Sequence, residues 1–123
     1  MSKHIVVIDD CRVTLAMVSD YLADAGFKVS TAECGVYSNH LIYGTSTPDL
    51  ILLDVMMPLM SGEKKAILIK RREKSSRIPL LLMSSKEEEE LKSIAARSGA
   101  DGYLTKPFSA GKLVHAIETF LAA

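Results

Sequence analysis

The 123 residues of the chain predict an α/β fold: a doubly wound, parallel, five-stranded sheet with five helices. Three observations lead there. Apolar runs of four or five residues alternate with longer segments of helical character, the pattern of repeated βα units. The runs Ile5–Ile8, Leu50–Leu53 and Leu80–Met83 are continuous, which suits strands covered on both faces rather than strands with one wet side. Each run also ends on polar residues: Asp9 and Asp10, Asp54, and Ser84 with Ser85. A shorter run, Gly102–Thr105, ends on Lys106 and Pro107.

Taken in order, the first strand falls at about residues 4–8. Leu15, Val18, Tyr21, Leu22 and Ala25 follow at helical spacing, and Gly26 stands where a left-handed C-terminal cap belongs. Lys28–Thr31 makes a short second strand. Between Gly35 and Thr47 the pattern is least regular. Tyr37, Leu41 and Ile42 allow about two turns of helix, whereas Ser38, Asn39 and Gly44–Thr47 are poor helix formers; a short, frayed helix and a loop are expected. After the strand ending at Asp54 and the turn at Pro58, Gly62 opens a third helix that runs to about Lys74. Pro79 starts strand four. Glu87–Glu90 put negative charge at the exposed amides of helix four, with Leu91, Ile94, Ala95 and Ser98 on its inner face and Gly99 at its end. Leu113, Val114, Ile117, Phe120 and Leu121 give the last helix a buried stripe. No repeat, low-complexity tract or linker interrupts this order, so residues 1–123 read as one domain.

Composition narrows the function classes. The chain is 48% hydrophobic and 24% charged, with zero formal net charge, so bulk electrostatics predict neither nucleic-acid nor membrane binding. The first apolar run is too short for a signal peptide, and no stretch approaches the ~18–20 apolar residues of a membrane span; a cytoplasmic protein is expected. Cys11 and Cys34 show no ligand-like spacing and read as reduced thiols, with thiolate formation at Cys11 disfavoured by the neighbouring carboxylates. Lys64, Lys65, Lys70, Arg71, Arg72, Lys74 and Arg77 make the third helix and its exit basic. That pattern reads as a solvated helix face, with an anionic partner surface as the alternative. His4, His40 and His115 match no ligand spacing and receive no role.

An open parallel sheet delivers all its strand ends to one edge, and ligands bind there where the strand order reverses. With the order 2-1-3-4-5, assumed from the fold class, Asp9, Asp10 and Asp54 converge while Ser84 and Lys106 approach from the other side. Three carboxylates in one pocket repel and tend to keep protons unless a cation compensates. Oxygen ligands without Cys or His favour Mg²⁺ or Mn²⁺ over zinc. A carboxylate left partly free beside such an ion can attack phosphorus, with Lys106 neutralising the equatorial oxygens and Ser84 donating a hydroxyl. Singly, these features are ordinary. An Asp pair after a strand is more often a helix cap, Lys106-Pro107 alone is a turn, and Tyr103 alone is core or boundary packing.

Together and in order, Asp9-Asp10, the run from Asp54 to Pro58, Ser84, and the segment from Gly99 through Lys106 and Pro107 to Phe108 resemble the response-regulator receiver domains of two-component signalling, the CheY-like family with a flavodoxin-like fold. The resemblance spans essentially the whole chain. It implies that Asp54 is the phosphoacceptor, taking its phosphoryl group from a phosphohistidine on a sensor histidine kinase or histidine phosphotransfer protein. Asp10, Asp54 and the backbone carbonyl of Met56 would bind Mg²⁺, with Asp9 helping through water. Lys106 would bind the phosphoryl group, Ser84 and Tyr103 would form a switch pair, and the Lys106–Pro107 bond would be cis. A signalling module rather than an enzyme is implied, catalysing only gain and loss of its own phosphoryl group. It would act as a monomer, with a dimer as the alternative, and reach a downstream target protein through helix four, strand five and helix five, roughly residues 87–121.

Some positions depart from the family pattern. Ser84 stands where Thr is commoner, and Ser85 replaces a small apolar residue. Lys86 and Met56 occupy positions expected to tune hydrolysis of the acyl phosphate, and the second helix is unusually polar. Haloacid-dehalogenase-type phosphatases share an Asp nucleophile, Mg²⁺ and a Lys, but need a second Asp where this chain has Met56, and a cap for which it lacks length. A degenerate receiver that docks without phosphate would not require the complete set of site residues seen here. Because the chain stops after the last helix, a stand-alone regulator is expected, with an excised receiver as the alternative.

Overall fold

The computed structural model describes residues 2–122. Along the chain the elements are β1 (His4–Ile8), α1 (Arg12–Asp24), β2 (Lys28–Ala32), a 3₁₀ turn (Val36–Ser38), α2 (Asn39–Ile42), β3 (Leu50–Asp54), α3 (Gly62–Arg71), β4 (Leu80–Ser84), α4 (Glu88–Ser98), β5 (Gly102–Thr105) and α5 (Ala110–Leu121). The strands form one parallel sheet in the order β2-β1-β3-β4-β5, the flavodoxin-like topology.

Successive side chains on a strand point to opposite faces, and the continuous apolar runs therefore supply two cores at once. Val6, Ile8, Ile51, Leu53, Leu80 and Leu82 face one way and meet Ile42, Ala66, Ile69, Leu91, Ile94 and Ala95, so α2, α3 and α4 cover that side. Ile5, Val7, Leu50, Leu52, Leu81, Met83 and Leu104 face the other way and meet Leu15, Val18, Leu22, Leu113 and Ile117 from α1 and α5. Every residue of β3 and β4 is buried, at about 1.5–3 kcal/mol for each fully buried aliphatic side chain relative to leaving it exposed.

Helix ends follow local chemistry. Ser61 and Ser109 accept hydrogen bonds from the backbone N–H of Lys64 and Lys112, capping α3 and α5. Gly26 and Gly99 take the left-handed conformation after α1 and α4, at φ 92° and 82°, as their positions predict. The second helix is a single turn after a 3₁₀ turn, in keeping with its poor helix formers.

Three expectations need correction. Helix α3 ends at Arg71 rather than near Lys74, and Arg72 is already extended at φ −83°, ψ 132°. The helix end and the turn after it hold each other: Ser75 Oγ from the turn donates to the carbonyl of Ile69 in α3, and Lys70 Nζ from α3 donates to the carbonyls of Ser76 and Ile78 beyond it. The basic stretch is not wholly solvated. Lys65 is only 3% exposed, and Lys70 Nζ lies 2.6 Å from the Asp101 carboxylate. In α5 only Leu113 and Ile117 are fully buried; Val114, Phe120 and Leu121 are half-buried against the same core.

The strand-end carboxylate site

The reversal of strand order falls between β1 and β3, and it brings Asp9, Asp10 and Asp54 together. One carboxylate oxygen from each lies within 4.8 Å of the other two. Asp9 and Asp54 are buried and Asp10 is exposed. Asp9 is fixed from both directions: its N–H donates to the carbonyl of Ala32, and its Oδ1 accepts the N–H of Cys11 at 2.9 Å. The Ala32 contact continues the β1–β2 ladder, which is why β2 runs one residue past Thr31.

Lys106 arrives from the far edge of the sheet. Its Nζ lies 2.7 Å from Asp9 Oδ2 and 3.0 Å from Asp54 Oδ1, while its backbone N–H donates to the carbonyl of Ser84 at 2.8 Å. The Lys106–Pro107 bond is cis. Alternation explains the meeting. Asp54 continues the Leu50, Leu52 series, Asp9 the Ile5, Val7 series, and Lys106 follows Leu104, so all three stand on the side of the sheet covered by α1 and α5. Ser84 belongs to the opposite series with Leu80 and Leu82, and Tyr103 packs there too.

Electrostatics follow from this geometry. Burial disfavours the ionised carboxyl of Asp54 and outweighs the hydrogen bond from Lys106; the charges of Asp9 and Asp10 add to the rise, and the group is pushed up to about 6. Burial works against the Lys106 ammonium, but hydrogen bonds to Asp9 and Asp54 and the charges of both outweigh it, holding the ammonium above its usual value. Ser84 is buried, and its Oγ accepts the N–H of Lys86 at 3.1 Å, which leaves its own proton available to donate. Lys86 Nζ is paired with Glu90 at 3.2 Å. Met56 is 58% exposed and Tyr103 half-buried. Cys11 corrects a sequence expectation: it stands at the N-cap position of α1 without a side-chain capping bond, and hydrogen bonding from Thr14 holds its thiol below the usual value against the opposing charge of Asp9.

One residue that shapes the site was read from sequence only as a helix start. Any Cβ at Gly62 would collide with the carbonyl oxygen of Asp54 and with Val55 Cα. The Gly62 N–H donates to the carbonyl of Val55 at 2.9 Å, so the first turn of α3 rests directly on the backbone carrying Asp54. Its place just after the capping Ser61 was the only sequence signal.

A family model described as the response regulator receiver domain matches residues 5–118. The chain belongs to that family. As a receiver domain of the two-component kind, it is a signalling module. Over 123 residues it is 31% identical to chemotaxis protein CheY of Halobacterium salinarum, with both chains covered completely. It is also 36% identical to the phosphate regulon transcriptional regulatory protein PhoB of Pseudomonas aeruginosa over 98% of this chain but 52% of that protein; the receiver domain spans about half the length of most of the curated relatives it matches. In fold it superposes with a TM-score of 0.90, at 20% identity and full coverage of both chains, on the receiver domain of sensor histidine kinase PA1611 from Pseudomonas aeruginosa, a structure with a magnesium ion coordinated in its active site cleft. No helix among the described residues is long and apolar enough to cross a membrane.

Proposed function

We propose that this receiver domain accepts a phosphoryl group on Asp54 from a phosphohistidine of a sensor histidine kinase or histidine phosphotransfer protein, in a Mg²⁺-dependent reaction, and signals to a downstream target. The observation that carries the reading is the seating of Asp54: a carboxylate 4% exposed, grouped with two others and 3.0 Å from an ammonium. Burial on this scale is costly for an ionised group without a function that uses it.

The donor set fits a hard divalent cation, since the three clustered groups are all carboxylates; Mn²⁺ would satisfy the same chemistry. Asp10, Asp54 and the Met56 carbonyl would hold the ion directly and Asp9 through water, and when bound it would neutralise charge on the transferring phosphoryl group. The free Asp54 oxygen attacks phosphorus, the P–N bond breaks, and the imidazole leaves with the bonding pair. Lys106 turns its ammonium from the Asp54 oxygen to a phosphoryl oxygen while keeping Asp9. Ser84 donates its hydroxyl proton to another phosphoryl oxygen, and Tyr103 on the same side of the sheet turns inward. Both conformations exist before transfer, and the new contacts at Ser84 and Lys106 shift the population toward the one presented by α4, β5 and α5.

Intact mass after incubation with a small phosphodonor tests the reading. One phosphoryl adduct that requires Mg²⁺ is expected, and Asp54→Asn should abolish it. An adduct forming at the original rate on the substituted protein sinks the assignment.

A further inference from the structure

Away from the strand ends, a pocket of about 170 Å³ lies between α2 and α3. Lys65, Asn39 and Arg72 stand on its wall beside Val36, Met60 and Leu68, and no acidic residue lines it. Lys65 is 3% exposed. The other two largely buried lysines, Lys70 and Lys106, each sit on a carboxylate. Lys65 does not: among the described residues its ammonium meets only a neutral partner, Asn39 Oδ1. An ammonium carries three donors, so two remain beyond that contact. Arg72 adds a second positive charge, its guanidinium 4.8 Å from the centroid of the Tyr43 ring, a cation–π seat that holds it at the pocket wall.

We propose that this pocket binds a small monocarboxylate with a compact apolar body, its charge held by Lys65 and Arg72 and its body packed against Val36, Met60 and Leu68. A buried cation without a countercharge is costly, and a carboxylate supplies that countercharge along with acceptors for the two remaining donors. The positive environment is consistent with this: burial, and then the charge of Arg72, hold the Lys65 ammonium below its ordinary value. Phosphate fits less well, since it has no apolar body to set against Val36, Met60 and Leu68 and would lose hydration of its oxygens there. In size the pocket is close to a cavity of about 150 Å³ that takes up benzene, which makes benzoate an apt probe. The pocket is separate from the carboxylate site, so the proposal does not depend on phosphoryl transfer.

The test is a titration of the ¹⁵N-labelled full chain with sodium benzoate, with benzamide as the uncharged counterpart, followed by amide shifts. Saturable shifts at Gly35, Asn39, Lys65 and Leu68 are expected with benzoate, and affinity about tenfold lower or worse with benzamide. Lys65→Met and Arg72→Gln should each weaken benzoate by a similar factor. Arg72 is exposed, so Arg72→Gln decides the matter should Lys65→Met fail to fold. Absence of saturable shifts, equal binding of benzamide, shifts centred on Asp9 and Asp54, or unchanged affinity in the folded variants would overturn the proposal.

Discussion

Lys106 Nζ sits closer to Asp9 Oδ2, at 2.7 Å, than to Asp54 Oδ1, at 3.0 Å. Asp9 is wholly buried, so it anchors the lysine, and under the proposed function the contact with Asp54 is the one exchanged for a phosphoryl oxygen without releasing the ammonium. Lys106 therefore has a structural duty before any chemistry begins.

Lys106→Met should expose that duty. It leaves a fully buried carboxylate without its countercharge, and the metal-free protein should lose about 3 kcal/mol of stability at neutral pH. Urea denaturation measures this, and added Mg²⁺ should restore part of the loss. A midpoint equal to that of the unsubstituted protein would show that Asp9 does not rely on the lysine.

Asp54 should make stability depend on pH in an unusual direction. Its carboxyl titrates near 6 in the folded protein against an ordinary value of 3.8, so between these values the folded state binds more protons than the unfolded chain. Stability from this group is then lost as pH rises through about 6 and regained on acidification, by on the order of 1 kcal/mol between pH 7 and 5. Metal-free denaturation at both pH values, compared with Asp54→Asn, isolates the contribution. If the difference between the two proteins does not change with pH, Asp54 does not titrate in this window.

Gly62→Ala should damage fold and site together. The added methyl meets backbone rather than a movable side chain, so a loss of roughly 1–3 kcal/mol is expected, with slower phosphorylation as the backbone of Asp54 shifts. Thermal melts and the rate of adduct formation read the two effects. A variant as stable and as reactive as its parent would mean that α3 relaxes away without disturbing β3.

The path of the signal is open to direct mapping. Adding a phosphoryl mimic with Mg²⁺ should move amide resonances from the pocket through Ser84 and Tyr103 into α4 and α5. Changes that stop at the strand ends, or that run mainly into α3, would exclude the α4-β5-α5 face and point to the basic surface around Lys64 and Arg77.

Much of this could be read from sequence for a simple reason. Strand-end residues such as Asp9, Asp54 and Ser84 are placed by topology, and Gly26 and Gly99 by the backbone conformation that ends a helix. What escaped depends on side chains reaching beyond their own element. Ser75 satisfies a carbonyl of α3 from the turn beyond it, and Lys70 reaches out of α3 to the carbonyl of Ile78, pairings which no helical periodicity encodes. Asp9 and Lys106 are 97 residues apart, and residue types alone do not say which carboxylate holds the lysine. Lys65 is different. Gly62, Lys65, Ala66 and Ile69 are the buried residues of α3, at spacings of three, four and seven from Gly62, so periodicity carries a signal for its burial that the reading of the basic run as a solvated face passes over.

The division of the strand-end residues between the two sides of the sheet has a further result. Asp9, Asp54 and Lys106 are seated over the core made with α1 and α5, whereas Ser84 and Tyr103 stand over the core made with α2, α3 and α4. Under the proposed mechanism, the acceptor and the hydroxyl that answers it are thus set by different packing residues across a partition one residue thick, with Lys106 the group on the acceptor's side that also takes part in the response. Repacking around Leu15 should therefore alter how readily the acceptor reacts and repacking around Leu91 or Ile94 how Ser84 and Tyr103 answer, whereas a change at Leu113, on a helix that belongs both to the acceptor's core and to the signalling face, should touch the two together.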